Sequence, residues 1–166
     1  TRKYSCGTVL SCCRVRIAED GEIFVSGDNV FIGYYKDEKL TREVLRKGEF
    51  ATGDLGYLDY DGFLYITGRK KDLIICGGYN IYPREIEELL FTHPAVLEAA
   101  VIGIPDKAKG EIPKAFVVLK PGKSTSSEEM ISFCKERLAA YKVPRIIEFC
   151  EELPKSATGK ILKRKL

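Results

Sequence analysis

The charged run Gly68-Arg69-Lys70-Lys71-Asp72 limits what this chain can fold into more than any other stretch. A strand pattern flanks it on each side, Phe63 to Thr67 before it and Leu73-Ile74-Ile75 after it. Consecutive charges resist burial, so the run reads as an exposed joint between two folded pieces and not as part of one core. The piece before it is dense in strand signals, and the piece after it mixes strands with helices. The expectation is an α+β chain: a β-rich segment over residues 1–70, then a small α+β unit with a short central sheet flanked by helices over residues 71–166.

Local patterns fill in this outline. Cys13 to Ile17 alternates as a half-buried strand, Asp20-Gly21 is a hairpin turn signal, and Glu22 to Val25 is the returning strand, broken at Ser26-Gly27-Asp28-Asn29. A short helix is expected from Asp37, with Leu40, Val44 and Leu45 on one face and Lys47-Gly48 closing it. A second hairpin pairs Tyr57–Tyr60 with Phe63–Thr67 across Asp61-Gly62. Beyond the joint, Gly77-Gly78 permits backbone conformations closed to other residues and a close approach to a ligand. Pro83 suits the first turn of a helix, with Glu85, Glu87 and Glu88 at its positive end, Ile86, Leu89 and Leu90 on its buried face, and His93-Pro94 ending it. Strands follow at Val96–Ile104, Lys114–Leu119 and Arg145–Phe149, and Ser127 caps a helix running to Ala140. Pro121-Gly122-Lys123-Ser124 imitates the end of a phosphate-binding loop, but Val117 stands at the required upstream glycine, so it reads as a surface turn.

Several classes of function fall away on composition. Net charge is +3 with no long block of one sign, whereas a nucleic-acid binder needs a broad basic patch interleaved with aromatics. The crowd at Lys163, Arg164 and Lys165 reads as a solvated basic end. Mean hydropathy is −0.14, and no apolar run approaches the roughly 20 residues of a membrane span. The first residues lack an initiator Met and an apolar signal segment, which suggests a processed, truncated or proteolysed chain. Cys6, Cys12, Cys13, Cys76, Cys134 and Cys150 form no Cys-x-x-Cys pair, and His93 is the one histidine. Buried, reduced thiols and a cytoplasmic setting are expected, with no metal site.

Thr52-Gly53-Asp54, Gly68-Arg69-Lys70-Lys71-Asp72, Gly77-Gly78-Tyr79-Asn80-Ile81-Tyr82-Pro83 and Pro154-Lys155-Ser156-Ala157-Thr158-Gly159-Lys160 occur in that order. Together they resemble the adenylate-forming superfamily, and its acyl-CoA synthetases in particular, over nearly the whole chain. Ser5 with Gly7, and Gly33-Tyr34-Tyr35, extend the likeness into the β-rich part. The resemblance implies that residues 1–70 are the last part of a large N-terminal AMP-binding domain and residues 71–166 its mobile C-terminal lid. It also implies an acid–thiol ligase that activates a carboxylic acid, a fatty acid by preference, with ATP and Mg2+ and passes it to coenzyme A.

Chemistry and resemblance meet at particular residues. Joining a carboxylate to the α-phosphate brings two anions together, so such a site needs a fixed hold on the nucleotide and a cation at the reacting centre. Asp54 suits ribose hydroxyls as a charge-assisted acceptor, and Arg69 matches the family's second ribose contact. Lys160, preceded by glycine and small residues in a mobile loop, is the matching catalytic lysine. Lys71 matches the hinge, and Gly77, Gly78 and Tyr79 match the wall of the thiol tunnel, with Tyr79 standing where many relatives carry glutamate. The family's phosphate loop, acyl pocket and magnesium-binding acid have no counterpart here, so the isolated chain is expected to be inactive. Two other readings stay open: a peptide-synthetase adenylation domain that loads a carrier protein, and a non-catalytic binding module using the basic end.

Overall fold

The alternation in the first strands carries through to the backbone. In the computed structural model, which describes residues 2–166, one unit reaches Lys71 and a second spans Asp72–Leu166. The first unit is an antiparallel sheet of β1 (Gly7–Thr8), β2 (Cys13–Ile17), β3 (Glu22–Gly27), β4 (Leu45–Arg46), β5 (Glu49–Leu58) and β6 (Phe63–Arg69), ordered β1-β6-β5-β3-β2 with β4 on β5. Arg14 and Arg16 on β2 face solvent while Cys13, Val15 and Ile17 are half-buried, as period-two alternation requires.

Three expectations shift in this unit. Ser26 and Gly27 continue β3, because Gly27 pairs with Cys13. Strand β5 begins at Glu49, so Thr52-Gly53-Asp54 lies inside the sheet. Helix α1 (Glu38–Val44) does start on Asp37, which accepts from the Leu40 N–H at 2.9 Å, but no residue of it is buried. Lys47-Gly48 does not close it. With φ of 53° and 82° and Arg46 paired to Glu49, these two residues are the turn of the β4–β5 hairpin.

The second unit is built around β10 (Gly110–Leu119). It pairs antiparallel with β9 (Val96–Asp106) along its length, parallel with β11 (Ile146–Phe149), and at Gly110 with β7 (Ile74–Cys76), which carries β8 (Tyr79–Ile81). Helices α2 (Pro83–Phe91) and α3 (Ser127–Lys135) contribute Ile86, Leu90, Met130 and Cys134 to a core shared with Ile74, Ile81, Val101 and Val117. Pro83 occupies the first turn of α2, where its fixed φ and missing N–H cost nothing. Only Glu85 sits in that first turn. Glu88 pairs with Arg84, and Glu87 accepts from the Val101 N–H and pairs with Lys163.

Helix α3 is capped one residue earlier than expected. Ser126 Oγ accepts from the Glu129 N–H at 3.1 Å and Glu129 accepts from the Ser126 N–H at 3.0 Å, a capping box whose backbone donor holds the Glu129 carboxyl below its ordinary range. The helix ends at Lys135, not Ala140, although the Leu138 N–H still reaches the Cys134 carbonyl at 2.9 Å. Buried and exposed positions in β7 also differ from a fully buried strand: Ile74 and Cys76 are buried and Ile75 is exposed. Cys76 and Cys134 are buried, and burial pushes the Cys134 thiol up to about 11, whereas Cys6 and Cys12 are exposed. Among the described residues no helix is long and apolar enough to cross a membrane.

Candidate functional site

Register brings two of the sequence candidates together. Asp54 on β5 stands opposite Arg69 on β6, and Arg69 Nε meets Asp54 Oδ1 at 2.9 Å. The Arg69 side chain is 51% exposed and that of Asp54 26%, so solvent reaches the pair. With Oδ1 engaged by Arg69, the second Asp54 carboxylate oxygen has no ion-pair partner among the described residues, and a carboxylate beside a guanidinium is suited to accept from a hydroxyl group. Such a surface pair contributes little to stability, and its value lies in presenting acceptor and donor side by side.

The backbone carrying Asp54 is irregular. Between β3 and β5 the register jumps from Glu22 opposite Leu55 to Phe24 opposite Ala51. Side chains fill the break. Thr52 Oγ1 donates to the Ile23 carbonyl at 2.7 Å and accepts from the Asp54 N–H at 3.1 Å, while Gly53 N–H donates to Glu22 Oε1 at 3.2 Å. Glu22 is 6% exposed, and its other oxygen takes Lys70 Nζ at 2.7 Å. Sequence reasoning passed over Glu22 and Lys70. The available signal was a carboxylate in the same alternation as Phe24, on a face that only a paired charge can occupy.

Lys71 lies in a 3-10 turn, Lys70–Asp72, at the end of the first unit; it is exposed and makes no ion pair among the described residues. In the second unit, Gly77-Gly78 links β7 to β8 with φ of 58° and 85°, a two-residue hairpin turn that Cys76 and Tyr79 close. A Cβ at either glycine would meet nothing within 4 Å, so backbone conformation and not crowding within this chain calls for glycine here. Tyr79 is 59% exposed and stacks on Tyr141 with ring centroids 4.7 Å apart.

Lys160 closes a hydrogen-bonded turn. Ser156 N–H donates to the Lys160 carbonyl at 2.8 Å, Lys160 N–H donates to Ser156 Oγ at 3.2 Å, and Lys155 and Ile161 form a β-bridge. Ile161 and Leu166 pack against a small cluster of Ala100, Phe116, Val118 and Leu153. Lys155 is paired with Glu98, and Lys163 with Glu87 at 2.7 Å. The expectation of a solvated tail is therefore wrong for Lys163. Lys160 is exposed, and its ammonium has no ion-pair partner among the described residues. An exposed ammonium on a hydrogen-bonded turn can meet an incoming anion.

On the ribose-holding role that the family resemblance implies for Asp54, Asp54→Ala in the full-length protein is expected to raise KM for ATP at least about tenfold, since one charge-assisted bond is worth roughly 1.5–3 kcal/mol. Steady-state kinetics at varied ATP check this, and an unchanged KM would make Asp54 a structural residue of the sheet.

Residues 85–160 match the family described as AMP-binding enzyme C-terminal domain. The chain belongs to the adenylate-forming, AMP-binding superfamily and corresponds to the C-terminal part of its acid–CoA ligases. It is 55% identical over 148 residues to a long-chain-fatty-acid–CoA ligase of Bacillus subtilis (strain 168), covering 89% of this chain and 26% of that protein. It is 51% identical over 175 aligned positions to a 2-succinylbenzoate–CoA ligase of Bacillus mycoides (strain KBAB4), covering 100% of this chain and 36% of that one. Among solved structures, o-succinylbenzoate CoA synthetase from Bacillus subtilis with its acyl-adenylate intermediate superposes with a TM-score of 0.91 at 43% identity, over 98% of this chain and 35% of that one. The chain thus spans about a third or less of the curated relatives it matches.

Proposed function

We propose that this chain supplies the nucleotide-facing strand pair, the joint and the catalytic lysine of an ATP-dependent acid–thiol ligase. The reading rests chiefly on one observation: Asp54 and Arg69, cross-strand partners on β5 and β6, meet at 2.9 Å where solvent reaches them, in a chain 55% identical over 148 residues to a fatty-acid–CoA ligase. In the first step a carboxylate oxygen of the acid attacks the α-phosphorus of ATP, forming acyl-AMP and expelling pyrophosphate. Lys160 neutralises charge as the two anions approach, and Asp54 with Arg69 fixes the ribose. In the second step the thiol sulfur of coenzyme A attacks the acyl carbonyl, AMP leaves and the thiol proton is released. Gly77, Gly78 and Tyr79 line the approach of that thiol after rotation at Lys71.

A solved relative holds ATP and a magnesium ion. Among the described residues no group of three metal-ligating side chains comes together, so the roles derived for these residues do not involve the metal. The relatives divide between long-chain fatty acids and succinylbenzoate in their names. The higher identity to the fatty-acid ligase favours a fatty acid, with a reducing cytoplasm as the setting. The test is turnover of the full-length ligase with ATP, coenzyme A and a panel holding both acid types. Fatty acyl-CoA with AMP is the expected product. Preference for succinylbenzoate would overturn the choice of acid, and no thioester with any acid would overturn the reading.

A further inference from the structure

We propose that Glu22 and Lys70 form an anchor that ties the exit of β6 to the irregular strand step carrying Asp54. Glu22 is thereby a positioning residue for the nucleotide, and Lys70 is the last fixed residue before the joint. This deepens the functional reading above and rests on it for the nucleotide.

The geometry is a closed set of contacts. Glu22 Oε2 accepts from Lys70 Nζ at 2.7 Å, and Oε1 accepts from the Gly53 N–H at 3.2 Å. Lys70 Nζ also donates to Asp20 Oδ2 at 2.7 Å, and Asp20 Oδ1 accepts from the Glu22 N–H at 3.1 Å. Both oxygens of a carboxylate that is 6% exposed are therefore committed. The register jump between β3 and β5 leaves the stretch around Gly53 without regular ladder partners, and the Glu22 carboxylate takes the place of a strand carbonyl there. Lys70 holds Asp20 below the ordinary carboxyl range, and the two carboxylates raise Lys70 above its own.

Two clamps then cross adjacent residues. Arg69 is held to Asp54, and Lys70 is held, through Glu22, to Gly53. With Lys70 fixed in this way, rotation beginning at Lys71 would not draw Arg69 away from Asp54. A joint that moves between two poses needs such a stop on its fixed side, or the nucleotide contacts would loosen at each rotation.

Glu22→Gln keeps the side-chain shape and an acceptor for Gly53 but removes the charge facing Lys70. Trypsin must take Lys70 into its own pocket, so cleavage after Lys70 in the folded full-length ligase reports release of the anchor. The expected result is about a tenfold faster cleavage there, and a KM for ATP raised severalfold with kcat little changed, from loss of a charge-assisted bond. Lys70→Met should raise KM by a similar factor, and the double variant should be no worse than the worse single one. Unchanged cleavage in Glu22→Gln would overturn the anchor. Additive effects on KM, or an unchanged KM where Asp54→Ala raises it, would overturn the positioning role. If Asp54→Ala itself leaves KM unchanged, the ribose reading fails, and the cleavage rate alone decides the anchor.

Discussion

Lys160→Ala in the full-length ligase will slow acyl-adenylate formation by about 100- to 1,000-fold, the usual loss for one electrostatic contact made in the transition state. Thioester formation from preformed acyl-adenylate will stay near its normal rate. The split follows from chemistry: negative charges converge only when the carboxylate approaches the α-phosphate, and attack by a thiol on the acyl carbonyl involves no such convergence. The structure adds a reason for singling out this lysine. Lys155 and Lys163 on either side are committed to Glu98 and Glu87, while the Lys160 backbone is pinned to Ser156. Single-turnover measurement of each half-reaction checks the prediction. Equal damage to both halves would remove Lys160 from its assigned role.

Lys71→Pro will do the reverse. Adenylation will be largely spared, and transfer to coenzyme A will fall by on the order of 100-fold, the cost of misplacing reacting groups by about 1 Å. Proline locks φ near −65° and restricts the residue before it, so it removes the freedom at the position proposed as the swivel. Lys71 is the last residue of the first unit and has no ion pair of its own among the described residues. Its replacement therefore takes little away apart from backbone freedom. A second half-reaction at normal rate would move the swivel elsewhere.

Features set by near neighbours in sequence were legible. The β2 alternation, the Asp20-Gly21 turn and Pro83 opening α2 all depend on residues within a few positions of each other. Asp54, Arg69, Lys71 and Lys160 stand out through an ordered set of motifs spread over the chain, though a motif carries no register. That Asp54 faces Arg69 is a property of how β5 and β6 align across the Asp61-Gly62 turn, including a register shift at Leu55–Gly56. Lys47-Gly48 misled because lysine followed by glycine suits a helix end, whereas the pairing of Arg46 with Glu49 makes it a hairpin turn. Met130, Phe133, Cys134, Arg137 and Leu138 recur at helical spacing, which is what suggests a helix reaching Ala140. That spacing persists through a final hydrogen-bonded turn, in which Arg137 lies over the Phe133 ring, after the regular helix has stopped.

Glu22 shows the remaining limit. Its burial is tolerated because Lys70, Gly53 and Lys70's second partner Asp20 converge from three separate stretches. No local pattern announces such a convergence, only the oddity of a carboxylate on a core-facing position. The lysine turn is similar: its small residues carry no sign of the hydrogen bonds that join Ser156 and Lys160 across it.

The most direct test of the central claim follows the oxygen of the acid. The full-length ligase is given ATP, coenzyme A and a fatty acid whose carboxylate carries heavy oxygen, and the nucleotide product is weighed by mass spectrometry. An acyl-adenylate route predicts AMP bearing one labelled oxygen from the acid, released together with acyl-CoA. Unlabelled AMP, or ADP with the label in inorganic phosphate, would contradict it.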